Sequence, residues 1–329
     1  MPISKIENSS IEDTAIHGAR NLIINGNFSC WQRSTSGFTG SEYIADRWRQ
    51  NLSGATATSS QQSFTIGQTS VPNNPEYYVN MNCTTGNNNA GLQQRIENPK
   101  RLSNTTITIS FWAKGTNPSG GSFDLDVYAY DGSGLHFPTN RQQSFTVTSG
   151  WQKFVKSVTL SDLSGETFTS SGYTLIGFTQ PDGDTGTAAW SLDLAQVQVE
   201  LGEQATPFEH ESYAATLQKC QRYFQKRVFT DADAIWVGAN FNATSAYGVI
   251  EHIVTMRTEP SGAYSGTLAD YKYYSAANTK TPTAMAINNR NSENSSETHI
   301  DWSGDLNSGG AGWLRAVGTN AFVQLEAEL

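Results

Sequence analysis

Apolar and polar residues alternate in short runs over most of the chain, and Gly, Asn and Ser break the runs. This period-two pattern predicts antiparallel strands joined by turns. The clearest examples are residues 106–113, Thr-Ile-Thr-Ile-Ser-Phe-Trp-Ala, and 123–130, Phe-Asp-Leu-Asp-Val-Tyr-Ala-Tyr. In each, every second side chain is apolar, so one face can enter a core while the other meets water. Asp131-Gly132-Ser133-Gly134, Ser149-Gly150 and Asp182-Gly183-Asp184-Thr185-Gly186 read as turns, and further strands are expected over 151–160, 173–179 and 188–201. Two sheets packed face to face follow, an all-β jelly-roll sandwich over residues 21–208.

One segment departs from period two. From Ser212, the residues Tyr213, Leu217, Cys220 and Phe224 recur at intervals of four, three and four, with Gln and basic residues between them. This predicts an amphipathic connecting helix of about four turns over 209–227. Ser212 would cap it, and the acidic residues at its start and Lys226 and Arg227 at its end suit the helix dipole. Strand-like texture returns at 234–238, 246–250 and 321–326, so a second, distal β domain is expected over 228–329. The polar tract 288–296 is expected to be a loop. Residues 1–20 form a lead too short to fold alone.

Composition narrows the function classes. The 329 residues carry a net charge of −9, and 16% are charged, well under the roughly 25% usual for soluble domains. An acidic chain with few clustered cations argues against nucleic acid as a partner. No apolar run approaches the roughly 18 residues of a membrane span, and the first residues lack the pattern of a secretory signal, so no membrane insertion is expected. Cys30, Cys83 and Cys220 have neither CxxC spacing nor a nearby His at a ligand interval, and are expected to be free thiols in a protein made in a reducing cytosol.

Two stretches carry a family resemblance. The opening Asn21-Leu22-Ile23-Ile24-Asn25-Gly26-Asn27-Phe28-Ser29, with Trp31-Gln32-Arg33 and Ala45-Asp46-Arg47-Trp48, resembles the start of the carbohydrate-binding-module-like jelly rolls of bacteriophage tail fibres. The run 190–202, then Ala205-Thr206-Pro207-Phe208-Glu209 and 217–224, is similar to the strand, Pro-Phe corner and helix that close that domain. Ile109-Ser110-Phe111-Trp112-Ala113-Lys114, Gly150-Trp151-Gln152-Lys153-Phe154, Met256-Arg257-Thr258-Glu259-Pro260 and the terminal Leu325-Glu326-Ala327-Glu328-Leu329 extend the resemblance. It implies a homotrimeric receptor-binding protein of the virion tail, joined through its N-terminus to the tail or baseplate. Its C-terminal tip would meet bacterial surface polysaccharide or lipopolysaccharide. It also implies a structural calcium between the opening and closing strands, with Asn25 and Asp193 in the matching positions; no other cofactor is expected.

The composition suits a sugar-facing surface, since sugar rings stack on aromatic faces and hydroxyls bond to amides and short polar side chains. Tyr271, Tyr273, Tyr274, Trp302 and Trp313 in the distal domain are the candidate ligand-binding residues, as an exposed platform or else as the filling of a trimer core. Trp112, Trp151 and Trp190 fall within strands, and since Trp112 follows Phe111 only one of the two can enter a given core. Asp182 and Asp184 are two apart in a turn, which suits a hard cation, but the rest of an EF-hand loop is missing. Asp124 and Asp126 share a strand face, as a glycosidase pair would require, but without a partner motif they read as a solvated face. The five histidines are scattered and accompany no nucleophile elbow or HExxH helix. A non-catalytic adhesin is therefore expected, with a glycan depolymerase or a structural tail adaptor as alternatives.

Overall fold

The structure, a computed structural model, describes residues 20–329 except 277, so the N-terminal lead, apart from Arg20, lies outside the described residues. The chain divides into two compact units, one running through Thr216 and the other covering Leu217–Glu328.

The first unit is the expected sandwich. One sheet has the order β1 (Trp48–Asn51), β4 (Gly91–Glu97), β10 (Tyr173–Thr179), β6 (Phe123–Tyr130) and β7 (Leu135–His136), with β8 (Gln142–Phe145) also paired to β6. The other has the order β2 (Thr56–Ser63), β3 (Tyr77–Thr85), β11 (Trp190–Leu201), β5 (Thr106–Thr116) and β9 (Gln152–Thr159). Every pairing is antiparallel. The alternation read from the sequence sets which face is dry: Leu92, Phe123, Leu125, Val127, Ile176 and Phe178 of the first sheet meet Met81, Ile109, Phe111, Leu192 and Leu194 of the second in one buried core. Phe111 is fully buried while Trp112 points the other way and is half-buried.

The opening motif clamps onto this sandwich. Asn21 accepts from Val199 N at 3.0 Å and donates to Val197 O at 3.2 Å, while Gln94 takes Ile24 N at 2.9 Å. Gly26 is required there, because a Cβ would collide with the Val197 carbonyl.

The helix α1 is Tyr213–Gln221, nine residues, with Ser212 capping Ala215 N at 3.3 Å. It is shorter than the four turns expected. Tyr223 N closes a turn onto Cys220 O, and Phe224 starts β12 (Phe224–Val228), whose backbone is taken by β21 (Phe322–Glu326). Lys226 and Arg227 therefore sit on a strand, and the distal unit begins before Val228. This unit has a three-stranded sheet, β12-β21-β15 (Ser261–Tyr264), and a seven-stranded sheet. The order of the latter is β17 (Thr279–Lys280), β16 (Tyr271–Ser275), β20 (Ala311–Ala316), β13 (Ala234–Asn240), β14 (Ser245–Glu251), β19 (Ser295–Asp301) and β18 (Ala284–Asn291). Most of the tract expected to be a loop is instead the end of the β18–β19 hairpin. Its turn is closed by Ser292 N to Ser295 O at 2.8 Å. Among the described residues no helix is long and apolar enough to cross a membrane.

Candidate functional site

The five aromatic candidates divide by strand parity. Tyr271 and Tyr273 alternate with Lys272 and Tyr274 on β16, and the first pair faces inward with Leu314 and Ala316 of β20. Tyr271 and Tyr273 are fully buried, and Trp302 is buried against Tyr273, edge to face at 5.2 Å. Tyr271 holds the backbone of Ser265 and Phe322 through its hydroxyl, and Tyr273 donates to Asn240 Oδ1 at 2.8 Å. Burial pushes the Tyr273 hydroxyl up to about 12. These three fill the core of the distal unit itself, which corrects the expectation that they offer rings to a ligand. A β-sheet with one packed face has no other place for them.

Tyr274 and Trp313 are directly opposite each other on the outer face. Their ring planes lie within 8° and their centroids 6.0 Å apart, and Trp313 is 37% exposed. Arg315, two residues along β20 and so on the same face, places its guanidinium 5.2 Å from the Tyr274 ring and 5.4 Å from that of Trp313. Its Nε is buried without a hydrogen-bond partner among the described residues. The outer face continues through Val237, opposite Trp313, to Val249 and Tyr247 on β14, the latter stacked on His299 at 5.6 Å. Val237 is 70% and Val249 53% exposed. The sequence singled out Trp313 but missed Arg315 and the two valines, although their two-residue spacing from outward neighbours was legible.

The sandwich presents two further outward faces. On the first sheet, Asp124 and Asp126 do share a face of β6, but each is committed: Asp124 accepts from Ser144 Oγ at 2.8 Å, and Asp126 takes Arg141 bidentately at 2.6 and 2.9 Å. Arg95 lies over Tyr173 at 4.5 Å and Arg141 over Phe137 at 4.3 Å on the same side. On the second sheet, Phe64, Tyr78 and Trp151 form an aromatic cluster with centroids 4.8 to 5.2 Å apart, and Lys114 approaches both Tyr78 and Trp151. Trp190, by contrast, is buried and donates to Gln180 Oε1 at 2.9 Å.

The positions matched to a structural calcium do not fit one. Asn25, in the left-handed region at φ 60°, donates to Cys30 O and Asp46 O and accepts Cys30 N, which uses its whole amide to shape the opening loop. Asp193 lies on the outer face of β11 with Asn80 at 2.5 Å and Lys114 at 3.4 Å. Burial pushes its carboxyl up, against the pull of Asn80 and Lys114. The two residues have no partner in common, and a carboxylate already neutralised by an ammonium is a poor ligand for a hard cation. Asp182 and Asp184 likewise diverge, the first to Asn89 and the second to Gly186 N and Gly120 N. One group the sequence did not suggest is His136, which lies 2.8 Å from Asp131 through Nε2 and 3.8 Å from Glu166 through Nδ1. Each ring nitrogen faces a different carboxylate, and the spacing of five and thirty residues gave no motif to find.

No family model matches the chain, and no curated protein matches it. Among solved structures, it is similar to the CBM22-1 xylan-binding domain of Paenibacillus barcinonensis at 16% identity and a TM-score of 0.28, covering 51% of this chain and 93% of that one. It is similar to the family 11 carbohydrate-binding module of a Clostridium thermocellum cellulosomal cellulase at 13% identity and a TM-score of 0.29, covering 54% and 98%. It is also similar to the enzymatically active domain of tailspike protein 4 of bacteriophage CBA120 at 12% identity and a TM-score of 0.32, covering 56% of this chain but only 22% of that one.

Proposed function

We propose that this chain is a non-catalytic adhesin of a bacteriophage tail fibre, made in the host cytoplasm and carried on the virion tail, that grips a glycan of the bacterial surface. The observation that carries this reading is the Tyr274–Trp313 pair: two near-parallel rings on the outer face of a hydrogen-bonded sheet, with the Arg315 guanidinium beside them. Such a surface offers a flat apolar platform for a pyranose ring and a donor fork for its oxygens. The order of motifs at both ends of the sandwich supports the tail-fibre setting. The reading is non-catalytic because the carboxylate pair on β6 is bound to Arg141 and Ser144 rather than presented to a cleft. In this reading three chains associate, so that weak sugar contacts are multiplied by the fibre's valency, and the N-terminal lead joins the tail or baseplate.

A second reading, a structural tail adaptor, draws on the exposed Val237 and Val249 of the same outer face, which suit a protein contact. One experiment separates the readings: adsorption of the full chain to intact host cells, run with light scattering and an assay of released reducing sugar. The adhesin gives adsorption by a trimer with no sugar released. Sugar release overturns the non-catalytic reading, and a chain that neither adsorbs nor cleaves is an adaptor.

A further inference from the structure

A cavity opens on the outer face of the second sheet of the sandwich, where β11 is irregular. The β5–β11 register shifts between Ala195 and Gln198, and Gln196 takes φ 47°. Trp112 on β5 is opposite Ala195 on one side and Lys153 of β9 on the other, so the residue directly facing it across the β11 flank carries only a methyl group. The bulged Gln196 donates to Pro72 O at 2.9 Å and holds one wall. The Pro-Phe corner also lines it: Arg20 donates to Pro207 O at 2.8 Å, Gln198 to the same carbonyl at 3.2 Å, and Phe208 meets His210 edge to face at 5.2 Å. The space between has a volume of about 690 Å³, inside the range of roughly 300–1,000 Å³ of small-ligand sites.

Its chemistry runs against that of the whole chain. The chain carries −9, yet the cavity is lined by Arg20 and Lys153 and by no carboxylate. Arg20 shares its guanidinium with Glu200 at 3.5 Å, whereas the Lys153 ammonium has no hydrogen-bond or ion-pair partner among the described residues. Trp112 and Phe208 supply ring faces, and Asn73 and Gln196 supply amides. We propose that this cavity binds an acidic sugar residue, a uronic or ulosonic acid, with its carboxylate at Lys153, Arg20 as the second cation and its ring against Trp112. The proposal rests on the glycan-binding reading and names the sugar class that a second site, distinct from the Tyr274–Trp313 platform, would take. Stacking supplies affinity for any pyranose, while an ammonium meeting a carboxylate selects the acid over its neutral parent.

The test titrates the full chain calorimetrically with D-glucuronate, D-galacturonate, N-acetylneuraminate and 3-deoxy-D-manno-octulosonate, against D-glucose and D-galactose, and repeats it with Lys153→Gln and Trp112→Ala. At least one acid binds about tenfold or more tightly than the neutral sugars; Lys153→Gln removes that preference and Trp112→Ala weakens binding of the acid by a similar factor. Lys153 is exposed and its amide replacement keeps the strand, so a folding defect cannot mimic the first result. Equal affinity for acid and neutral sugars, no binding of any acid, or an unchanged preference in Lys153→Gln overturns the proposal. Adsorption to host cells, measured alongside, separates the two levels. Wild-type adsorption with no acid binding removes the cavity and leaves the adhesin, whereas acid binding with no adsorption keeps the cavity and removes the adhesin.

Discussion

Tyr273 and Tyr274 are adjacent in the chain and opposite in consequence, because successive side chains of a strand point to opposite faces. Tyr273→Ala empties a buried ring site and is expected to cost about 3–5 kcal/mol of stability, read as a lowered unfolding midpoint in denaturant. Tyr274→Ala and Trp313→Ala change the unfolding free energy by no more than about 0.5 kcal/mol but reduce adsorption to host cells at least tenfold; unchanged adsorption in both removes the outer platform from the site. Gly26 is the second residue-scale case. Gly26→Ala sets a methyl group against the Val197 carbonyl and displaces the opening segment from β11, at an expected cost of about 1–3 kcal/mol. Gly150→Ala, where nothing lies within contact distance, is the neutral control in the same denaturation series. The motif Asn-Leu-Ile-Ile-Asn-Gly-Asn-Phe was legible as a motif, but its reason, close backbone approach to a strand about 170 residues later, exists only in the folded chain.

At the scale of elements, the strands were legible and the ends of the helix were not. The apolar spacing Tyr213, Leu217, Cys220, Phe224 is helical, yet pairing of β12 with β21 satisfies five residues of backbone that a longer helix would have to withdraw from the sheet. Local periodicity yields to tertiary hydrogen bonding when the two compete for the same residues. The tract 288–296 shows the same effect: polar residues read as a loop become strand because β19 offers its edge. One histidine at the turn of this hairpin lends stability a pH dependence. His252 donates from Nδ1 to Glu293 O at 2.9 Å and, when neutral, accepts the Ser296 hydroxyl on Nε2 at 2.9 Å. Partial burial holds His252 below the ordinary value of 6.5. The unfolded chain then takes up protons that the folded chain refuses, so stability falls as pH drops below about 6.5 and is recovered above it. Burial of Asp46 and Asp193 raises their carboxyls and acts in the opposite sense at lower pH. The check is therefore a difference: the thermal midpoint of His252→Gln falls less than that of the wild type between pH 7.5 and 5.5.

Over the whole molecule, the three cysteines report on how completely the fold closes over its buried residues. Cys30, Cys83 and Cys220 are all fully buried, and burial pushes the Cys83 thiol up to about 11. A thiol reagent is expected to label none of them in the native protein and all three in denaturant; a thiol that reacts at once under native conditions shows a core that opens. The sequence by itself determined the all-β class, the jelly-roll reading of the first unit, the location of a helical interruption and the dry face of each strong strand. These follow from local alternation, which needs no knowledge of partners. The tertiary structure alone decided which aromatics of the distal unit are core and which are surface. It also committed Asp124 and Asp126 to Ser144 and Arg141, and gathered Arg20, Trp112, Lys153 and Phe208 around one cavity. Those outcomes depend on register, on a bulge in β11 and on contacts between residues nearly two hundred positions apart, and strand periodicity carries no information about any of them.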